Sequence, residues 1–136
     1  MSHYTTVELE VKDQASFIQA LCDVWPTSLV AENIEVHDTP QSLFGYQGDK
    51  RQQRANVIVR RKHVGAVSND IGFLMEGGKA TAFISEYDKS RYSSTWQDGL
   101  RQRYARNVAV KEATRKGYRV KETQTDDGKI KLVLTK

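Results

Sequence analysis

Ile71-Gly72-Phe73-Leu74-Met75-Glu76-Gly77-Gly78-Lys79-Ala80-Thr81-Ala82-Phe83-Ile84-Ser85-Glu86-Tyr87 reads as two strands folded back on each other. Ile71, Phe73 and Met75 alternate along the first strand. Gly77-Gly78 suits a two-residue hairpin turn, which favours residues free to take positive φ. The chain then returns with Ala82 and Ile84 on one face and Phe83 on the other. Antiparallel pairing of neighbours in sequence is the expectation this stretch sets for the rest.

Upstream, Ala55, Val57 and Val59 alternate with Asn56, Ile58 and Arg60. Ile58 is apolar as well, so both faces of this strand are expected to be covered. A turn around Gln47-Gly48-Asp49-Lys50 joins it to Leu43–Tyr46. Residues 37–53 are the least regular part of the chain, with Pro40, Gly45 and Gly48 arguing for turns. Ile34 and Val36 read as a short strand. Nearer the N-terminus, Val7, Leu9 and Val11 alternate with Glu8, Glu10 and Lys12. Asp13 is a good N-cap for a helix carrying Phe17, Ile18, Leu21, Cys22 and Trp25, and Pro26 stops it.

Downstream, Ser93 or Ser94 caps the longest helix, on which Trp96, Leu100, Tyr104 and Val108 form one stripe. Gly117 fits the left-handed position after its end. Tyr118 and Val120 start a strand, Asp127-Gly128 turns it, and Ile130, Leu132 and Leu134 bring it back. The order is β-α-β-β-β-β-α-β-β. It predicts an α+β fold over residues 1–136 as a single domain: one antiparallel sheet with both helices on one face.

Length and composition are those of an ordinary globular domain of 136 residues. The lone Cys22 has no partner within the chain, which points to a reducing, cytoplasmic setting. No apolar run is long enough for a membrane span, and no secretion signal is expected. Charge is distributed unevenly. Residues 1–49 carry eight Asp/Glu and one Lys, a net of −7, whereas residues 50–136 carry a net of +11. The split predicts either an anionic partner for the basic part or mutual neutralisation on folding.

The basic residues are the strongest functional candidates. Lys50, Arg51, Arg54, Arg60 and Arg61 form one group, with Lys62 beside them. Arg91, Arg101 and Arg103 belong to residues 89–121, whose net charge is +8. Arginine offers bidentate contacts to phosphate or carboxylate. At about 100° per residue, however, the helix cations spread around the axis. Tyr92 is the freer aromatic for stacking beside them, since Trp96 and Tyr104 belong to the apolar stripe. Gly45-Tyr46-Gln47-Gly48, followed by three cations, is a candidate phosphate-binding turn built from backbone N–H groups.

Chemistry of other kinds finds little support. His3, His37, His63 and Cys22 lack metal-ligand spacing, and no cofactor motif occurs. Cys22 lies on an apolar helix face, where a thiol is inert. No acid, base and nucleophile group together; Asp70 and His3 are the first suspects for a cryptic site. A binding module is therefore expected rather than an enzyme.

Several stretches together resemble the hypothetical chloroplast reading frame thirty-five family, a family of unknown function found in plastids, cyanobacteria, other bacteria and phages. They are Met1-Ser2-His3-Tyr4, Gly45-Tyr46-Gln47-Gly48, Val57-Ile58-Val59-Arg60, Asn69-Asp70-Ile71-Gly72-Phe73, Gln102-Arg103-Tyr104-Ala105, Gly117-Tyr118-Arg119-Val120 and Asp127-Gly128-Lys129-Ile130-Lys131-Leu132. Val36–Phe44 is longer than the family pattern. The resemblance implies a small soluble α+β protein with no established activity. Relatives in bacteria accompany AAA-type ATPases or ferredoxin-like proteins, which implies an adaptor with a protein partner. A homo-oligomer is the other expectation. Binding of nucleic acid or a small phosphorylated ligand through the arginines is the alternative.

Overall fold

The computed structural model describes residues 3–136; Met1-Ser2, which open the first of the family-like stretches, lie outside the described residues. Seven strands and two α-helices follow in the expected order. They are β1 (Tyr4–Glu10), α1 (Gln14–Val24), β2 (Ile34–Phe44), β3 (Lys50–Val59), β4 (Ile71–Glu76), β5 (Lys79–Ser85), α2 (Ser94–Arg115), β6 (Arg119–Gln124) and β7 (Ile130–Thr135). Five strands pair antiparallel in the order β1-β5-β4-β3-β2. The fold is α+β. The terminal hairpin β6–β7 does not join that sheet but forms a two-stranded sheet of its own. It meets the rest of the protein along α2.

Local signals place most of these elements. Asp13 caps α1, its carboxylate accepting from the Ser16 amide and, at 2.9 Å, from the Ser16 hydroxyl. Ser93 caps α2 through the Trp96 amide. Gly77 and Gly78 sit at φ 58° and 78°, the pair of left-handed residues that closes β4 onto β5.

Period-two alternation divides the core between the two faces of the sheet. Val57, Val59, Ile71, Phe73, Ala82 and Ile84 point at the helices, where they meet Phe17, Ala20, Leu21 and Leu100. Ile58 points the other way and packs with Leu43 and Ala55, beside Tyr4 and Phe83. Both faces of β3 are thus covered, as the apolar run 57–59 predicted.

What covers the second face is the far half of the β2–β3 hairpin. Residues 37–53, expected as the least regular part, are strand on either side of the 45–49 turn. Pro40 is tolerated because β2 is an edge strand and because the ladder is interrupted there. Val36 pairs with Val57, yet Gln41 already pairs with Ala55. The extra residues of β2 form a bulge that bends the hairpin over the sheet. Asn56 holds the bend. Its side-chain amide donates to the carbonyls of His37 (3.0 Å) and Asp38 (3.2 Å), and its oxygen accepts from the Met75 amide (2.8 Å). A Cβ added to Gly72 would come within 2.7 Å of Ala55 Cβ and 2.8 Å of Leu43 Cδ2. Glycine at that position lets the folded-back hairpin rest directly on β4.

Tyr92, expected to be free for stacking, is fully buried. Its ring packs between Trp25 (4.9 Å between centroids) and Trp96 (5.0 Å). Burial pushes its phenol up to about 12. The two indoles are anchored as well, Trp25 to the His63 carbonyl (2.8 Å) and Trp96 to the Val24 carbonyl (2.9 Å). This aromatic cluster ties α1, α2 and the 61–64 turn together, so Tyr92 is a core residue and no ligand can stack on it.

Candidate functional site

Four of the stretches that carried the family resemblance, those holding Tyr4, Gly45–Gly48, Arg60 and Asn69-Asp70, converge at one corner of the sheet, and Asp70 is its centre. The bent hairpin brings Phe44 to Asp70, where the two backbones bond (Asp70 N–H to Phe44 O, 3.0 Å). The Asp70 side chain is buried. One oxygen accepts from the Phe44 amide (2.8 Å) and from Arg60 Nη1 (2.8 Å); the other accepts from the Arg61 amide (2.8 Å). Tyr4 donates its hydroxyl to the Asp70 carbonyl at 2.6 Å. Burial, with Asp70 nearby, pushes the Tyr4 phenol well above its ordinary value. Asn69 continues the network. Its side chain accepts from the Tyr46 amide (3.1 Å) and donates to Ser85 Oγ (2.9 Å), while its amide donates to Asp88 (3.2 Å).

Arg60 is therefore not available to a ligand. It forks onto Glu35 through Nε (2.7 Å) and Nη2 (2.8 Å), and its remaining nitrogen serves Asp70 and the Ser42 carbonyl. The guanidinium holds the Glu35 carboxyl at about 2, below its ordinary 4.5, helped by His37 at 2.8 Å and opposed by partial burial. A depressed folded-state value means that the pair contributes fully above pH 4.5. Its contribution drains away as the pH falls toward about 2. Glu35→Gln should flatten the acid limb of the stability curve in that window and leave its shape near neutrality unchanged. Urea midpoints measured across the window check this.

Nor is Gly45-Tyr46-Gln47-Gly48 a phosphate cradle. The Gly45 amide donates to the Asp49 carbonyl (2.8 Å), the Gly48 amide to the Gly45 carbonyl (2.9 Å), and the Tyr46 amide to Asn69. These N–H groups are spent on closing the turn and seating it on the corner. Gly48, at φ 80°, needs the left-handed conformation. A side chain at Gly45 would strike the Asp49 carboxylate.

The remaining predicted cations divide into two sets. All five cations of α2, and Lys116 after it, are ion-paired. Arg101 meets Asp98 (3.0 Å), Arg103 meets Asp23 (2.9 Å) and Glu122 (3.5 Å), and Arg106 meets Glu122 (2.9 Å). Lys111 meets Asp13 at 2.8 Å, and Arg115 and Lys116 meet Glu112. Arg51 lies 3.5 Å from Asp49 and 4.9 Å above the Tyr4 ring. Several of these pairs join the acidic first third to the basic remainder, so the charge split is largely a folding complement. The long helix offers no bare positive stripe.

Lys50, Arg54, Arg61, Lys62 and Arg91 form the second set, with no carboxylate within salt-bridge distance among the described residues. Lys50 and Arg54 stand exposed on the hairpin. Arg61 and Lys62 line a cleft of about 650 Å³ with Phe44, Arg60, Gly65, Ala66 and Asp70. Arg91 lines a neighbouring cleft of about 380 Å³, whose other residues include Val67, Tyr87 and Asp88 and which shares Gly65 and Ala66 with the first. Phe44 (37 % exposed), Val67 (51 %) and Tyr87 (53 %) add apolar surface to the same face. Sequence reasoning missed Val67, which sits outside any periodic pattern, and passed over Tyr87 in favour of Tyr92 as the stacking aromatic.

A family described as "Protein of unknown function (DUF1257)" matches residues 29–133, a span that holds the whole corner except Tyr4. The chain belongs to this family. It is also similar to a relative described as "Uncharacterized protein ycf35" from Cyanophora paradoxa, with 28 % identity over 137 residues, covering 98 % of this chain and 96 % of that one. No solved structure matches. Among the described residues no three His, Cys, Asp or Glu side chains converge as metal ligands, and no helix is long and apolar enough to cross a membrane. Cys22 is half-buried against the helix-side core, and burial pushes its thiol up, away from the reactive thiolate.

Proposed function

We propose that this member of the family is a non-enzymatic binding module, an adaptor whose corner face takes an acidic, apolar-bearing segment of a protein partner. One observation carries the reading. Phe44, Val67 and Tyr87, all solvent-exposed, share two adjoining clefts with Arg61, Lys62 and Arg91, none of which is paired to a carboxylate. Apolar and aromatic side chains mixed with arginine are the composition of interface hot spots. The floor beneath them is held by Asp70, Asn69 and Asp88, so little ordering is left to be done on binding. The same hydrogen bonds support a structural duty for Asp70 and Asp88. Every Asp70 oxygen is engaged, and Asp88 accepts from Ser85 Oγ at 2.7 Å.

The test is an NMR titration of the isotope-labelled protein with acidic peptides that carry one aromatic residue, with nucleotides and oligonucleotides as separate arms. Peptides should shift the amides of Phe44, Arg61–Val67, Tyr87 and Arg91. Arg61→Glu with Lys62→Glu should weaken that binding by roughly tenfold or more, without lowering the melting temperature. Failure of every peptide to move these residues overturns the reading. A nucleotide filling the 650 Å³ cleft in their place would assign the face to a small phosphorylated ligand instead. Oligonucleotide shifts along α2 with a steep salt dependence would point to nucleic acid.

A further inference from the structure

Among the described residues the outer side of β1 has no strand neighbour, because β1 ends the five-strand order. Beside it runs a groove of about 380 Å³ lined by Leu9, Val11, Phe17, Leu100 and Tyr104, by the acidic pair Glu8 and Glu10, and by Arg101, which is paired with Asp98. An open edge next to an apolar trough is the geometry that accepts an added strand: the backbone supplies the ladder and the trough takes alternate side chains.

At the other end of the chain stands an element that lacks what this site offers. None of the residues of β6 or β7 is buried, and Val133 (40 %) and Leu134 (46 %) are exposed. A two-stranded hairpin is marginal by itself. Its own open edges are unpaired in the sheet order. Residues 4–10 carry two glutamates and no cation, Glu8 being paired with Lys79 of β5 (3.0 Å) and Glu10 with no cation within salt-bridge distance among the described residues, whereas residues 119–136 carry five Lys/Arg and three Asp/Glu. Arg119, Lys121 and Lys131 have no carboxylate partner among the described residues.

We infer that the β6–β7 hairpin of one molecule adds to the β1 edge of a second copy, its apolar side chains occupying the trough and its lysines facing Glu8 and Glu10. Within one chain the hairpin rests on α2 as a separate sheet, so the addition is intermolecular. Reciprocal addition of two hairpins closes a two-fold dimer in which both β1 edges are covered. The contact is independent of the corner face and stands or falls separately from it.

The experiment is light scattering coupled to size exclusion across a concentration series, on the full chain and on two charge-reversed variants, Glu8→Lys with Glu10→Lys and Lys129→Glu with Lys131→Glu. The full chain should self-associate. Each variant should weaken self-association by roughly tenfold, while an equimolar mixture of the two restores a mixed complex. Circular dichroism melting confirms that both variants fold. The substituted charges are exposed, so reversing them is expected to change stability little. A protein that stays monomeric throughout overturns the inference. So does an oligomer indifferent to both variants, or one lost in each variant and not recovered on mixing.

Discussion

Replacing Asp70 by alanine is expected to cost about 4 kcal/mol of folding stability. One buried carboxylate serves the Phe44 amide, the Arg61 amide and Arg60 Nη1, each at 2.8 Å. Alanine leaves two backbone donors and part of a guanidinium without an acceptor where water has poor access. Each orphaned amide costs about 1–3 kcal/mol, and the lost charge adds to it. Arg60 keeps Glu35, which limits the damage. Asp70→Asn retains one acceptor of the right size and should cost about half as much. Urea unfolding at unchanged m-value measures both. A loss below about 1 kcal/mol for the alanine variant would show that the corner repacks without its centre. The alanine variant should also lose peptide binding at Arg61 and Lys62, because the Arg61 amide is what Asp70 holds in place.

The alternation of apolar residues made the sheet legible. Val57 and Val59 against Ile58, and Ala82 and Ile84 against Phe83, each face as the pattern predicted. Gly77 and Gly78 announced their turn for a local steric reason. Pro40 misled because a proline forbids a central strand but not an edge strand with a bulge, and edge position is set by the whole sheet. Tyr92 misled because it precedes the Ser93 cap, outside the helical stripe, while its burial depends on Trp25 at a distance in sequence. The separate terminal hairpin could not be foreseen either, since the same alternation pairs equally well in a shared or an isolated sheet.

The candidate site divides along the same line. The charge split was plain in the chain, but its meaning was not. Arg103 with Asp23 and Lys111 with Asp13 are joined across 80 and 98 residues, a separation that no local pattern encodes. Once those pairs form, the positive surface that remains is smaller and lies off α2, with Arg61, Lys62 and Arg91 its part at the corner. Among the stretches that carried the family resemblance, those holding Gly45–Gly48, Arg60 and Asn69-Asp70 prove to be the lock of the corner. The residues proposed to touch a partner stand around that lock: Phe44, Val67, Tyr87 and the unpaired cations.

That division makes Asn56 the most informative single position outside the corner. Asn56→Ala is expected to cost about 3 kcal/mol, by the same orphaning of backbone groups. Its amide bridges three of them: the carbonyls of His37 and Asp38 on β2 and the Met75 amide on β4. The two carbonyls lie in the part of β2 that the bulge takes out of the ladder, and the Met75 amide lies past the last β3–β4 pair, Val57 with Phe73. The two carbonyls lie near an exposed edge, where water can replace the asparagine, so most of the cost falls on the Met75 amide and on the bend itself. The far half of the hairpin should then loosen before the rest of the molecule. Hydrogen exchange should speed up across residues 41–55 while the amides of α1 and α2 keep their protection until global unfolding. Because that half delivers Phe44 to Asp70, corner-face binding should weaken as well, although Asn56 lies outside both clefts. Unchanged exchange in 41–55, with a stability loss under about 0.5 kcal/mol, would mean that the bend is held by Leu43, Ala55 and Ile58 packing against Gly72 rather than by the asparagine.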